Sequence, residues 1–423
     1  MPYPVANEQE RQMTTTQTEP RKGGIPRGLS ATGPVLFSYG FRPFFLGGAT
    51  WACAAMVLWI LAVSGQIEIG GDYGAVAWHA HEMLFGFSSA IVAGFLLTAV
   101  PNWTGRLPVS GRPLAGLFGL WCLGRLVMLA PDVLGVIPSV VLDAAFLPTM
   151  LVVCLREIIA GRKWADLKVI GGLGALTLAN ICFHYETIAL GGPDYSERLA
   201  LAGLVMMIVI VGGRMLPSFT RNWLSKAGRT DFPVPYNRFD VATIVMTATA
   251  FACWIVLPAS MITAAAALIA AMAQAARLWR WRGWTTAAEP LVLVLHAAYA
   301  FVAIGLLAIA ASCIGAMDRT AAVHVLTVGT VATMMLAVMT RATRGHTGRE
   351  LAASRSTCVA YGALFACALT RPASAILPDY LGVVYALAGL LWIGAFLLYL
   401  VEYGPMLVAR RRSPTTTRQS PAN

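Results

Sequence analysis

Apolar runs of about twenty residues recur from residue 43 to residue 403, parted by short polar or Pro- and Gly-marked turns. A helix needs about 20 mostly apolar residues to cross a bilayer. Counted on that basis the chain has twelve spans: 43–64, 79–100, 113–130, 133–155, 167–190, 198–216, 240–257, 259–278, 289–312, 321–340, 357–374 and 380–403. Turns such as Ala130-Pro131-Asp132 and Leu257-Pro258-Ala259 divide runs that would otherwise merge. The pattern predicts an all-α, polytopic integral membrane protein whose membrane domain covers residues 35–408. Residues 1–34 are polar, rich in Thr, Glu, Pro and Gly, and are expected to be a disordered cytoplasmic tail; residues 409–423 are expected to be a basic cytoplasmic tail.

Similar sequences close every fourth span. Span two leaves through Pro101-Asn102-Trp103-Thr104, span six through Pro217-Ser218-Phe219-Thr220 and span ten through Thr340-Arg341-Ala342-Thr343. That recurrence suggests three four-helix units, although Thr, aromatic and Arg residues are common at helix ends near the membrane interface.

Composition agrees with the span count. Hydrophobic residues make up 57% of 423 and charged residues 12%, where soluble domains carry roughly 25%. A net charge of +11 would suit nucleic acid, but its placement does not. With the N-terminus inside, the inner loops carry Arg106 and Arg112; Arg156, Arg162, Lys163 and Lys168; Arg221, Lys226, Arg229 and Arg238; Arg277, Arg280 and Arg282; and Arg341, Arg344, Arg349 and Arg355. Arg410, Arg411 and Arg412 follow the last span. Of the 31 Lys and Arg residues, only Arg125, Arg198, Arg319 and Arg371 lie elsewhere. Cytoplasmic loops carry such an excess, so both termini are expected in the cytoplasm and no nucleic-acid partner is expected. The eight cysteines lie in or beside apolar segments without a CxxC pair, so they offer neither a disulfide framework nor a zinc knuckle.

The candidate chemistry is histidine. His79 and His81 open span two and His324 opens span ten, both from the outer face; His184 lies late in span five, which rises to that face. His296 sits about a third of the way up span nine, and His346 belongs to an inner loop. Neutral imidazole is a common metal ligand and the usual axial ligand of haem iron, and it suits copper and iron alike. His79 and His81 point about 200° apart on a helix of 3.6 residues per turn, so they could serve two centres on opposite sides but not readily one ion. Glu82, Glu186 and Asp143 accompany these histidines, as candidates to orient ligands or pass protons. Asp143 could equally pair with Arg125 of span three, and Asn180, one turn before His184, is a further partner. A lone membrane histidine is more often satisfied by a carbonyl or interfacial water, and His346 alone reads as a solvated loop residue. Four histidines sharing the outer half of so apolar a chain are harder to explain that way.

FRPFFL (41–46), WHAHEMLFGF (78–87), GFLLTAVPNWTG (94–105), GGRMLPSFTRN (212–222) and TRGHTGRE (343–350) together resemble the NnrS family. The resemblance implies a twelve-span protein of the bacterial inner membrane that binds haem and copper and protects against nitric oxide. It raises His346 to a candidate ligand or structural anchor. On that basis a haem, expected to be b-type, is placed among spans two, five, nine and ten on some of His81, His184, His296 and His324. Copper is expected on members of His79, His81, His184, His324 and His346. Reduction of nitric oxide to nitrous oxide by an unidentified electron donor is the expected activity, with Glu82, Glu186 and Asp143 serving protons.

Two alternatives share these features. Intramembrane Glu, Asp, His and Arg residues suit a proton-coupled secondary transporter, although no pair of broken helices in corresponding halves supports it. A haem or copper protein that senses nitric oxide, or delivers its cofactor, would need the same ligands.

Overall fold

The apolar runs become long helices because a bilayer leaves no water to satisfy backbone N–H and C=O groups, so each span must satisfy its own. The computed structural model describes residues 33–412, so the tail expectations for 1–32 and 413–423 lie outside the described residues. Its helices are α1 (Phe41–Val63), α2 (Ala75–Thr104), α3 (Arg112–Leu129), α4 (Val136–Ala160), α5 (Trp164–Leu190), α6 (Asp194–Lys226), α7 (Arg238–Val256), α8 (Met261–Arg280), α9 (Pro290–Cys313), α10 (Arg319–His346), α11 (Arg355–Thr370) and α12 (Leu381–Val408). Among the described residues, eleven helices are long and apolar enough to cross a membrane. The remaining predicted span, 357–374, is α11, a 16-residue helix continued by the 3₁₀ turn Arg371–Ala375. Span four also starts later than expected, because Gly135 at φ 90° breaks a short helix, Pro131–Leu134, from α4. Only glycine takes that backbone conformation without strain.

The helices form a closed ring of three consecutive groups of four. Neighbours pack within each group, and the groups meet where α4 lies on α5, α8 on α9 and α12 on α1. Inside the ring run α2, α6 and α10, the three helices whose exits resemble one another. In α2 and α10, 78% of the most apolar stretch is buried, against 22% in the peripheral α1. The outward faces expose aliphatic side chains such as Val141, Val152, Leu397 and Val401, as a lipid-facing surface should.

Each group is tied by an ionic knot, buried in the first two and half-buried in the third. In the first, Arg125 lies between Glu82 and Asp143. In the second, Arg277 bonds Asp240 at 2.9 Å and the Tyr299 hydroxyl at 2.9 Å. In the third, Arg344 bonds Glu402 at 2.8 Å, and Glu402 also accepts from Ser354, Ser356 and Thr357. The seam between α1 and α12 is held by Arg42, whose Nη1 donates to the carbonyls of Leu407 at 2.6 Å and Ala409 at 2.9 Å. Trp392 Nε1 adds a bond to the Ala52 carbonyl at 2.9 Å. The first motif, FRPFFL, is therefore a closing element of the ring.

Three helices loosen into a π-helical stretch just beyond a histidine: Glu82–Phe87 after His81, Glu186–Leu190 after His184-Tyr185, and Val325–Ala332 after His324. Such wide turns cost helical hydrogen bonds and recur at functional sites.

Candidate metal centre

The first group's knot is also where two histidines meet. His81 is the seventh residue of α2, His184 lies a turn and a half before the end of α5, and Asp143 is two turns into α4. All three stand toward the end of the bundle away from the basic loops. Each is buried, and their ligating atoms lie within 4.8 Å of one another.

Both imidazoles turn the same nitrogen to the same oxygen. His81 Nε2 lies 3.1 Å from Asp143 Oδ2, and His184 Nε2 lies 3.0 Å from it. Each Nδ1 is held from behind: His81 by Glu82 Oε1 at 3.0 Å, His184 by the Tyr73 hydroxyl at 3.1 Å. Burial pushes the Tyr73 phenol well above its usual range, so it stays protonated. Asn180 turns its Oδ1, an acceptor, to His81 Nε2 at 3.0 Å and donates from Nδ2 to Asp143 Oδ2 at 3.3 Å. Glu82 Oε2 is shared between Arg125 and Trp51 Nε1, the latter at 2.7 Å.

Gly86 makes the arrangement possible. A Cβ there would fall on Arg125 Nη1, 2.5 Å from Glu82 Oε2 and 2.9 Å from Trp51 Nε1. With neutral histidines the cluster holds two carboxylates against one guanidinium, one negative charge in excess in a region without water. Such a charge is costly unless compensated. A bound cation, or a proton on one imidazole, supplies the compensation.

The donor set suits a metal ion. Two imidazoles and a carboxylate on one side of an ion, with other positions open, is a recurrent first-row transition-metal arrangement. The 3.0–3.1 Å spacings are a few tenths of an ångström under the roughly 3.4 Å edge of a tetrahedron with ~2.1 Å bonds. Hydrogen bonds to the far nitrogens are the usual support of metal-binding histidines. A porphyrin does not fit between His81 and His184, whose rings lie 4.7 Å apart and 39° from parallel.

Other expected site residues go elsewhere. Glu186 does not join the centre: its carboxylate accepts from the backbone N–H groups of Tyr195 and Ser196 and from the Ser196 hydroxyl, capping α6. That is the ordinary use of an acid at a helix N-terminus. His296 is held by Thr220 Oγ1 at 2.7 Å and packs on Trp281 and Gly283. His324 shares a small cavity with His79, on the other side of α2 from His81. The four histidines expected around a haem, His81, His184, His296 and His324, therefore do not line a common slot. Tyr73, Trp51 and Gly86 were not foreseen. Tyr73 comes from a Gly-rich loop, and nothing in its spacing points inward.

His346 lines a cavity of about 480 Å³, bounded chiefly by α2, α6 and α10. Its ring lies 5.4 Å from Phe41 and 5.6 Å from Tyr39, with no hydrogen bond to either nitrogen among the described residues. Arg341 lines the same end; its guanidinium sits 4.1 Å over the Phe219 ring and has no ion pair among the described residues. The remaining walls are almost wholly apolar. An imidazole with no hydrogen bond and a guanidinium with no close ion pair among the described residues, at one end of an apolar space of this size, fit a large, flat, acid-bearing group such as haem.

A ring of membrane helices that holds a buried two-histidine, one-carboxylate cluster defines a polytopic membrane protein with a candidate metal centre. Residues 35–411 match the NnrS protein family, and the chain belongs to that family. Membership connects it with nitric oxide. No curated protein matches it.

Proposed function

We propose that this protein is a metal- and haem-containing enzyme of a bacterial cytoplasmic membrane that reduces nitric oxide to nitrous oxide. The observation that carries the reading is the convergence of His81 Nε2 and His184 Nε2 on Asp143 Oδ2, each ring braced at Nδ1. These three side chains would hold a transition-metal ion, copper on the family resemblance. His346 and Arg341 would hold a haem in the central cavity, its iron on the imidazole and its acids on the guanidinium.

The reaction is 2 NO + 2 e⁻ + 2 H⁺ → N₂O + H₂O. The metal ion, when bound, supplies a site where nitric oxide can bind and accept electrons; haem iron supplies redox capacity. The chain's own residues do the rest. Arg125 pairs with Glu82 and Asp143, and Glu82 and Tyr73 fix the imidazole orientations. With Nε2 on the ion, His184 would carry its proton at Nδ1, hydrogen-bonded to the Tyr73 hydroxyl. Nitric oxide is small and neutral, so it reaches a buried site from the lipid without a polar channel. Both termini face the cytoplasm in this reading, which sets the metal centre toward the outer face.

The test is spectroscopic and chemical. Purified full-length protein from haem-sufficient cells should show a Soret band, contain a transition metal, and yield nitrous oxide when reduced and given nitric oxide. Asp143→Asn should lower the metal content, and His346→Ala should change the haem spectrum. Protein free of haem and metal that instead carried protons with a substrate would establish the transporter alternative.

A further inference from the structure

At the basic end of the bundle, α1, α10 and α12 meet in a corner crowded with arginine. Elsewhere at this end arginines find carboxylates: Arg106 and Arg156 share Glu157, Arg214 takes Asp166, and Arg229 and Arg282 share Asp231. The corner gathers Arg42, Arg344, Arg349, Arg411 and Arg412 against two carboxylates, Glu350 and Glu402. Among the described residues its one ion pair is Arg344 with Glu402, and three hydroxyls already occupy that acid.

The backbone builds the corner. Residues 345–349 turn back at the end of α10, where Arg349 N donates to the Arg344 carbonyl at 2.9 Å. The chain leaving α12 then crosses this turn, and Arg412 N donates to the Thr347 carbonyl at 3.0 Å. Gly348 permits the crossing: it sits at φ 71°, and a Cβ there would fall on the Arg412 carbonyl. Arg42 closes the third side, buried, with Nη1 on the last carbonyls of α12 and no partner for Nε among the described residues. Arg349 is half-buried; its Nη1 is out of solvent, and nothing among the described residues accepts from it. Burial first, then the charges of Arg412 and Arg344, holds the Arg349 guanidinium below its usual range. A buried donor of this kind calls for an acceptor, and cations held together against their repulsion call for an anion.

The place decides which anion. The corner lies at helix ends, at the level of lipid phosphates, and the stripe of α12 that leads to it is apolar. Leu397, Val401 and Val408 are exposed there and spaced to share one face. Guanidinium groups take phosphate oxygens through paired N–H donors, and basic pockets between membrane helices hold anionic head groups. None of the five arginines lines the cavity beside His346, so the corner is separate from the place given to haem.

We propose that Arg349, Arg411 and Arg412, backed by Arg42, form a binding site for the phosphate of an anionic phospholipid whose acyl chains lie along α12. The lipid would clasp the seam that closes the ring. The proposal depends neither on nitric oxide chemistry nor on a metal.

Native mass spectrometry of the delipidated, full-length protein in detergent tests it, with phosphatidylglycerol, phosphatidylethanolamine and inorganic phosphate as probes. The wild type should hold phosphatidylglycerol roughly tenfold more tightly than phosphatidylethanolamine, and phosphate should not displace it. Arg349→Gln combined with Arg412→Gln should remove that preference, and Gly348→Ala, which unseats the crossing chain, should weaken it. Lys163→Gln combined with Lys168→Gln, exposed cations at the same end of the bundle, should leave it intact. No head-group preference in the wild type, or an equal loss in both double variants, would reduce the corner to the general attraction of a basic face and overturn the proposal. Displacement by phosphate would overturn it in favour of a free anion. Unchanged lipid binding with a lost Soret band in the arginine double variant would overturn it by giving these cations to the acids of haem. A wild type without haem leaves the lipid measurement as it stands, so the two readings fail separately.

Discussion

Replacing Arg125 by Leu should make the stability of this protein depend on its metal. The guanidinium is the single cation between two carboxylates, and the side chains of Arg125, Glu82 and Asp143 are 6%, 0% and 1% exposed. No solvent screens the charges left behind, so the cost belongs at the buried end of the scale. Removing one partner of a buried ion pair costs about 3–5 kcal/mol, because the other charge stays uncompensated. Here two negative charges would remain in metal-free protein, whereas a divalent ion on Asp143 would offset them. Arg125→Leu should therefore lose about 3–5 kcal/mol against wild type in chelator and appreciably less at saturating metal, since a ligand bound only by the folded state stabilises it by mass action. Adding Asp143→Asn in the same chain should recover part of the loss in chelator and abolish the rescue by metal. Denaturant unfolding in detergent, with and without metal, measures all four combinations. A metal-free Arg125→Leu protein as stable as wild type would refute the charge argument, and an equal loss with and without metal would refute the placement of the ion.

Gly86→Ala should displace Arg125 from Glu82 and cost about 1–3 kcal/mol through overpacking, with a matching fall in metal content. Gly116→Ala, whose Cβ meets nothing within 4 Å, should change neither quantity. His296→Gln should leave metal content and haem spectrum as in wild type, because His296 serves Thr220 rather than a cofactor; a lost Soret band would reverse that assignment. Arg42→Gln should weaken the seam between α1 and α12 by about 1.5–3 kcal/mol, the worth of charge-assisted hydrogen bonds. Amide exchange should then accelerate at the end of α12 while the metal centre stays loaded.

The spans were legible because the bilayer imposes a length and a polarity that few other folds share. α6 runs ten residues past its expected end, through Pro217 to Lys226, since polar residues at a helix end neither extend nor stop it on their own. The divergence of His79 and His81 also followed from helical geometry, and their side chains do line different sites. Arg125 and Asp143 were readable as a pair, while Glu82, a third member of the same knot, was read only as a ligand's companion. Glu186 shows the limit. A carboxylate two residues beyond a histidine gives no sign of whether it faces the metal or the next helix, and here it caps α6. Contacts such as Tyr73 on His184 join positions 111 residues apart, and no local periodicity carries them.

The seam at Arg42 also sets an order in time. Its acceptors lie up to 367 residues later in the chain, so at 5–20 residues per second roughly 20–70 s of synthesis separates donor from acceptor. Through that interval α1 must rest in lipid against provisional neighbours, its guanidinium left to water or phosphate. The metal centre needs only the first five helices and can form early. The ring around it stays open until the ribosome has delivered α12, so a chain cut short before that helix would leave the centre's residues in place and the wall beside them missing.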